Sequence, residues 1–206
     1  MPKFTGSIIT LAGKRYELPE RTSEELREIF RPYGAELGSV VYSWNRLHEM
    51  LSALFEAIVK AETPQLPLAI WHSTDNDSTQ RKMLRAATET AIHLPGNVKS
   101  RIVWILNTID DPLRFKRNDA LHAPLAFVTG VVNDAITTWV QADMFSANPR
   151  AKALREKNLI NEFKEYAETA IMLAEHSEHL LKAIDDPTYA LPGKPPLPHA
   201  HRKSGL

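Results

Sequence analysis

The sequence predicts an all-α protein, an up-and-down helical bundle with small β-hairpin embellishments. Three observations carry that prediction. Apolar residues from Leu37 to Ile58 recur at alternating spacings of three and four, and so do those from Ile160 to Ile184. That rhythm builds one apolar face on a helix and calls for a helical partner. Between the two long stretches, Asp77-Ser78-Thr79-Gln80 and Asp111-Pro112 read as further helix starts. Segments rich in β-formers are short and bounded by turn residues.

Residues 1–20 read as an N-terminal hairpin extension. Ser7–Leu11 and Arg15–Leu18 flank Ala12-Gly13-Lys14, a short glycine-containing loop. A lone hairpin is marginally stable, so it must pack on something or stay mobile. Pro19 ends it. Thr22-Ser23-Glu24-Glu25 then starts a short helix that runs to Pro32. The next helix spans about Gly34 to Ala61. Its stripe is Leu37, Val40, Trp44, Leu47, Leu51, Leu54 and Ile58, widened by Val41 and Phe55. Leu47, Leu51 and Leu54 are expected in the core. Thr63-Pro64-Gln65-Leu66-Pro67 breaks the pattern.

Asp77 reads as the cap of a helix carrying Met83, Leu84, Ala87, Ala91 and Leu94, stopped by Pro95-Gly96. Asn97 is the candidate cap of a helix with Ile102, Ile105, Leu106 and Ile109 on one face. Asp111-Pro112 is a fresh cap with proline in the first helical position. The helix it opens runs through Arg117 and ends near His122, because Pro124 disfavours a helical Ala123. Leu125–Val128 and Thr137–Val140 suit a short hairpin, with Gly130 between them. Asn148-Pro149 starts a helical turn. The last helix, Leu159 to Ile184, carries an alanine-rich seam of Ala167, Ala170 and Ala174, which implies close helix approach. Residues 21–184 are thus the expected bundle, and 185–206 a proline-rich tail, extended or disordered.

Composition narrows function. Lys+Arg and Asp+Glu are equal at 25 each, so no global field draws nucleic acid. Between Gln80 and His122, however, eight bases face four acids. That local excess permits a phosphate-bearing ligand, although a charged run is usually a solvated face. The absence of cysteine excludes disulfides, thiolate catalysis and Cys-based zinc sites. The first residues lack the apolar run of a signal peptide, and no stretch approaches the ~18 apolar residues of a membrane span. A soluble cytoplasmic protein is the expectation.

The most informative stretch is Arg117-Asn118-Asp119-Ala120-Leu121-His122. A guanidinium grips phosphate oxygens bidentately and stays charged. An imidazole exchanges a proton near neutral pH. Together they are a minimal kit for cleaving a phosphodiester without metal. Five residues along a helix turn the side chain by about 500°, leaving Arg117 and His122 roughly 140° apart. The two would share a cleft only if the helix ends at His122 and lets the imidazole swing.

Two long helices, two shorter ones between them, and Arg117-Asn118-x-x-x-His122 at a helix end resemble the HEPN superfamily. His122-Ala123-Pro124 also looks like the family's usual continuation. The motif covers six residues and the bundle pattern about Gly34 to Ile184, with the hairpin extension and proline tail outside. The resemblance implies a metal-independent endoribonuclease in which a ribose 2′-OH attacks the adjacent phosphorus. His122 would shuttle the proton, Arg117 would neutralise charge on the phosphoryl oxygens, and Asn118 would orient His122 or the ribose. It implies RNA as substrate, no cofactor, a homodimer through the motif-bearing helices, and a toxin or phage-defence setting with an antitoxin or regulatory partner. The alternative is a non-catalytic module binding a nucleotide, RNA or protein partner. A blander one is a scaffold in which Arg117 pairs with Asp110 or Asp111.

Other constellations are weaker. His176 and His179 are i, i+3 on the last helix, with no further metal ligands evident, and read as an exposed polar face. His72, Asp75 and Asp77 read as loop and cap chemistry. Trp44, Trp71, Trp104 and Trp139 are candidates for base stacking, although Trp44 lies on the core stripe. His199 and His201 read as passive.

Overall fold

The computed structural model describes residues 8–11, 13–63 and 65–198, and it is mostly helical with two short antiparallel hairpins. In chain order the elements are β1 (Ile8–Leu11), β2 (Lys14–Glu17), α1 (Ser23–Val59), α2 (Gln65–Trp71), α3 (Asp77–Thr90), α4 (Gly96–Thr108), a π-helical turn (Ile109–Leu113), α5 (Arg114–His122), β3 (Leu125–Val132), β4 (Ala135–Ala142), α6 (Pro149–Leu154) and α7 (Leu159–Asp185). No helix among the described residues is long and apolar enough to cross a membrane.

The chain divides into two compact units. The helical unit comprises Ser39–Arg117 and the chain from Lys164 onward; the mixed unit comprises the residues up to Gly38 and Asn118–Phe163.

The helical unit holds the large core. Trp44, Leu47, Leu51, Leu54 and Ile58 of α1 cluster with Leu84 of α3, Ile102, Ile105 and Leu106 of α4, and Leu173 and Leu180 of α7. Leu47, Leu51 and Leu54 are fully buried, as the stripe predicts. The register follows from the sequence: a three-four rhythm keeps these side chains on one face through each turn. On α7 burial is wider than the seam suggests, because Tyr166, Leu173, His176 and Leu180 are covered as well.

Several starts and stops differ from expectation. α1 is one helix through Pro32, not two. Proline removes a single backbone donor. Pro32 is exposed, so the carbonyl that loses its donor faces solvent rather than core. α2 forms where the prolines were expected only to break the chain. Pro67 is its third residue, in a first turn whose N–H groups lack helical partners anyway. Its last residue, Trp71, is buried at 5.5 Å from the Phe55 ring. Asn76, not Asp77, caps α3, accepting from the Thr79 backbone N–H. α4 starts at Gly96 after an extended Pro95, so Asn97 lies inside it and caps nothing. Asp111 is extended, with φ −153° and ψ 119°, as the residue before a proline tends to be. It interrupts the helix, and α5 therefore opens at Arg114 rather than at Pro112.

In the mixed unit the β3–β4 hairpin is longer than expected. Its turn is Asn133-Asp134, with φ of 52° and 62°, the left-handed pair that matches strand twist in a two-residue hairpin. Gly130 is not the turn. It pairs with Thr137 inside the ladder, under the Trp139 ring, where a Cβ would come within 2.9 Å of the indole. Leu154, Leu159 and Phe163 supply buried apolar surface in this unit.

Residues 186–198 run without regular helix against the helical unit. Tyr189 Oη meets His179 Nδ1 at 2.6 Å, and Leu197 is buried in the core cluster. This part of the tail is extended and packed. His199 and His201 lie outside the described residues.

Candidate functional site

α5 carries the motif, and it ends at His122 as the sequence implies. The boundary between the two units falls between Arg117 and Asn118. Arg117 is half-buried, with its guanidinium carbon 5.3 Å from the centre of the Trp44 ring. It lines a cavity of about 460 Å³ in the helical unit. Asn118 is half-buried and His122 exposed, and neither lines that cavity.

The cavity gathers other groups around Arg117. Trp44 Nε1 donates to Asp77 Oδ2 at 3.2 Å, and His48 Nε2 lies 3.8 Å from the same oxygen. His48 Nε2 is buried with no hydrogen-bond partner. Gln80 Nε2 donates to the carbonyls of Trp71 and Thr74, which fixes the loop between α2 and α3. Behind the cavity, the buried Arg81 donates from Nε to Asp110 Oδ1 at 2.9 Å, and Arg85 lies 3.6 Å from the other oxygen. Asp110, one of the two partners that the scaffold alternative gives Arg117, is thus engaged by Arg81 and Arg85.

Burial pushes the His48 imidazole below its ordinary pKa. Asp77 and a hydrogen bond with Gln80 pull it up, while Arg81 and Arg117 press it down. His48 is therefore neutral at neutral pH. Asp119, inside the motif, is shifted upward by burial, against the opposing pull of Arg150 and Lys157.

The sequence reading missed His48. A signal existed: His48 falls between Leu47 and Leu51, one turn after Trp44, so a titratable group sits at the edge of an apolar stripe. Asp77 was read as a cap. Because Asn76 takes that role, the Asp77 carboxylate is released to the cavity.

The tryptophans offer little to a base. Trp44 is 4% exposed and Trp71 2%, which closes both ring faces to stacking. Trp104 and Trp139 are half-buried. His176 is not on an exposed face; it is 3% exposed, edge-on to the Trp104 ring at 5.7 Å. Burial lowers its pKa first, then the charges of Arg101, His179 and Lys194. Among the described residues, no group of three or more His, Asp or Glu is placed to hold a metal ion.

The two depressed histidines set a pH dependence. Their folded pKa lies below the ordinary 6.5, so between the two values the unfolded chain binds more protons than the folded one. Their contribution to stability is complete above about pH 6.5 and falls as pH drops toward the folded values. Urea midpoints should therefore decrease from about pH 7.5 to about pH 5.5. The H48Q/H176Q double variant should show a flatter profile, and an unchanged slope would mean that neither group is held neutral.

Compared with family models, curated proteins and solved structures, the chain matches none of them.

Proposed function

We propose that the protein is a HEPN-like, metal-independent endoribonuclease, its helices forming an up-and-down bundle and its active form a homodimer through α5. The carrying observation is Arg117-Asn118-x-x-x-His122 on a nine-residue helix that ends at the histidine. The chemistry is transesterification. The 2′-oxygen bonds to phosphorus, the bond from phosphorus to the 5′-oxygen breaks, and a cyclic phosphate and a free 5′-OH result. His122 moves the proton. Arg117 stabilises the charge gathered on the phosphoryl oxygens. Asn118 orients the imidazole or the ribose.

The dimer is integral to this reading. One chain points Arg117 into its cavity and leaves His122 exposed at the helix end. A two-fold axis beside α5 would let one copy's exposed imidazole serve the phosphate gripped by the other. The Arg117 cavity also holds the carboxylates of Asp77 and Glu49. They disfavour a bare anion and favour a ligand that brings hydrogen-bond donors with its phosphate, as a ribonucleotide does. A cytoplasmic toxin or defence role, with an antitoxin or regulatory partner, fits this activity.

A second reading is a non-catalytic module that binds a nucleotide, RNA or protein partner. It is favoured by Arg117 lining a cavity whose lining does not include His122. A labelled RNA with a single 2′-deoxy substitution at its cleavage site separates the two. Transesterification predicts cleavage of the all-ribose strand in the presence of chelator and none at the substituted position. Undiminished cleavage there would make water the nucleophile and refute the 2′-OH mechanism. Tight binding with no cleavage of either strand would support the module.

A further inference from the structure

In the mixed unit, the turn between β4 and α6 presents Phe145 at 100% exposure and Met144 at 50%. The backbone beneath the ring is fixed. The Phe145 N–H donates to Asp143 Oδ1 at 2.9 Å, and the Asn148 N–H to Ser146 Oγ at 3.2 Å. Arg155 Nη2 donates to the carbonyls of Asp143 and Ser146 at 3.3 and 2.6 Å. The turn therefore holds the ring in water already ordered, which lowers the entropic cost of binding on it.

The turn stands beside the end of α5. Leu125 pairs with Ala142 at the open end of the β3–β4 hairpin, and the Asp143 N–H donates to the Pro124 carbonyl at 2.9 Å. α5 thus ends at His122 just before the hairpin, and the turn begins just after it. The adjoining chain is basic: residues 150–157 hold Arg150, Lys152, Arg155 and Lys157 against Glu156. Arg155 is committed to the turn, and Lys157 pairs with the buried Glu162. Arg150 and Lys152 are exposed, and Asp119, on α5 one turn before His122, feels the Arg150 charge.

We propose that Phe145 is a stacking platform for an unpaired base of single-stranded RNA, with Arg150 on a neighbouring phosphate and His122 alongside. An exposed aromatic ring beside positive charge is the combination that single strands use. The ring takes the π-face of any base, and the cation takes the backbone. A duplex keeps its bases stacked on one another and offers the ring no free face. The proposal rests on the ribonuclease reading for the role of His122, and it narrows the substrate to unpaired RNA.

The test is fluorescence anisotropy of the full chain with a labelled 2′-O-methyl oligoadenylate of about ten nucleotides. That strand has no free 2′-OH, so binding is read apart from cleavage. Phe145→Ala should weaken binding by about five- to 150-fold, and Phe145→Trp should keep it. On a duplex of the same sequence, Phe145→Ala should change nothing. Arg150→Gln should lower the slope of log affinity against log salt by about 0.7, the share of one phosphate contact on a single strand. Phe145 lies outside the core, so its variants should melt as the wild type does. Equal affinity of Phe145→Ala and wild type for the strand, or no binding by either, would overturn the platform. Loss of self-association in light scattering with unchanged strand affinity would also overturn it, and would make the ring a contact between copies. Cleavage of an all-ribose strand is scored separately. Cleavage without a Phe145 effect on binding sinks the platform alone; Phe145-dependent binding without cleavage sinks the ribonuclease reading alone.

Discussion

His122→Ala should reduce RNA cleavage by about 10²–10⁴, the usual worth of a positioned proton-transfer group. Arg117→Lys should remove most activity as well. The ammonium keeps the charge but loses the bidentate fork that, on the proposed mechanism, holds two phosphoryl oxygens at once. It also changes the cation that lies over the Trp44 ring. A thermal melt of the variant therefore has to accompany the rate: an unchanged melt with lost cleavage places the effect in chemistry. His122 lies exposed at the end of α5, so His122→Ala should leave the fold intact. Single-turnover rates on single-stranded RNA make the measurement. Retention of full rate by both variants would end the Arg-His reading.

Leu51→Ala should cost about 2–5 kcal/mol in chemical denaturation. Leu51 is fully buried at the centre of the α1 stripe, with Leu47 one turn before it and Leu54 and Phe55 one turn after. Truncation loses the transfer free energy of three carbons and leaves a void that close-packed neighbours fill only in part. Leu37, on the same stripe but half-buried, should cost clearly less when changed to alanine. A loss below about half a kcal/mol at Leu51 would contradict its place in the core.

The core was legible because helix periodicity is a local rule that tertiary packing reinforces. The α1 stripe and much of the α7 seam could be read directly. Boundaries were harder where one residue shifts a role. Asn76 and Asp77 are both good caps, and only the geometry decides that Asn76 serves while Asp77 turns to Trp44 and His48. Pro32 was read as a stop although a single lost hydrogen bond on an exposed face leaves a long helix intact. The β3–β4 pattern leaves the turn open between Val128 and Thr137, and the left-handed Asn133-Asp134 pair closes it. The candidate site was legible only as a linear motif. Its spacing sets Arg117, Asn118 and His122 along α5, but the residues that surround Arg117 come from α1, α2 and α3, and no local pattern announces them.

The Arg117 guanidinium over the Trp44 ring makes the indole an optical gauge of the site. A phosphate that recruits the guanidinium must draw it off the ring or screen its charge. Either event changes the field on one shielded chromophore, so occupancy is readable as a shift in tryptophan emission without any label. Trp71 shares the cavity, whereas Trp104 and Trp139 lie elsewhere, and Trp44→Phe would identify the reporting ring.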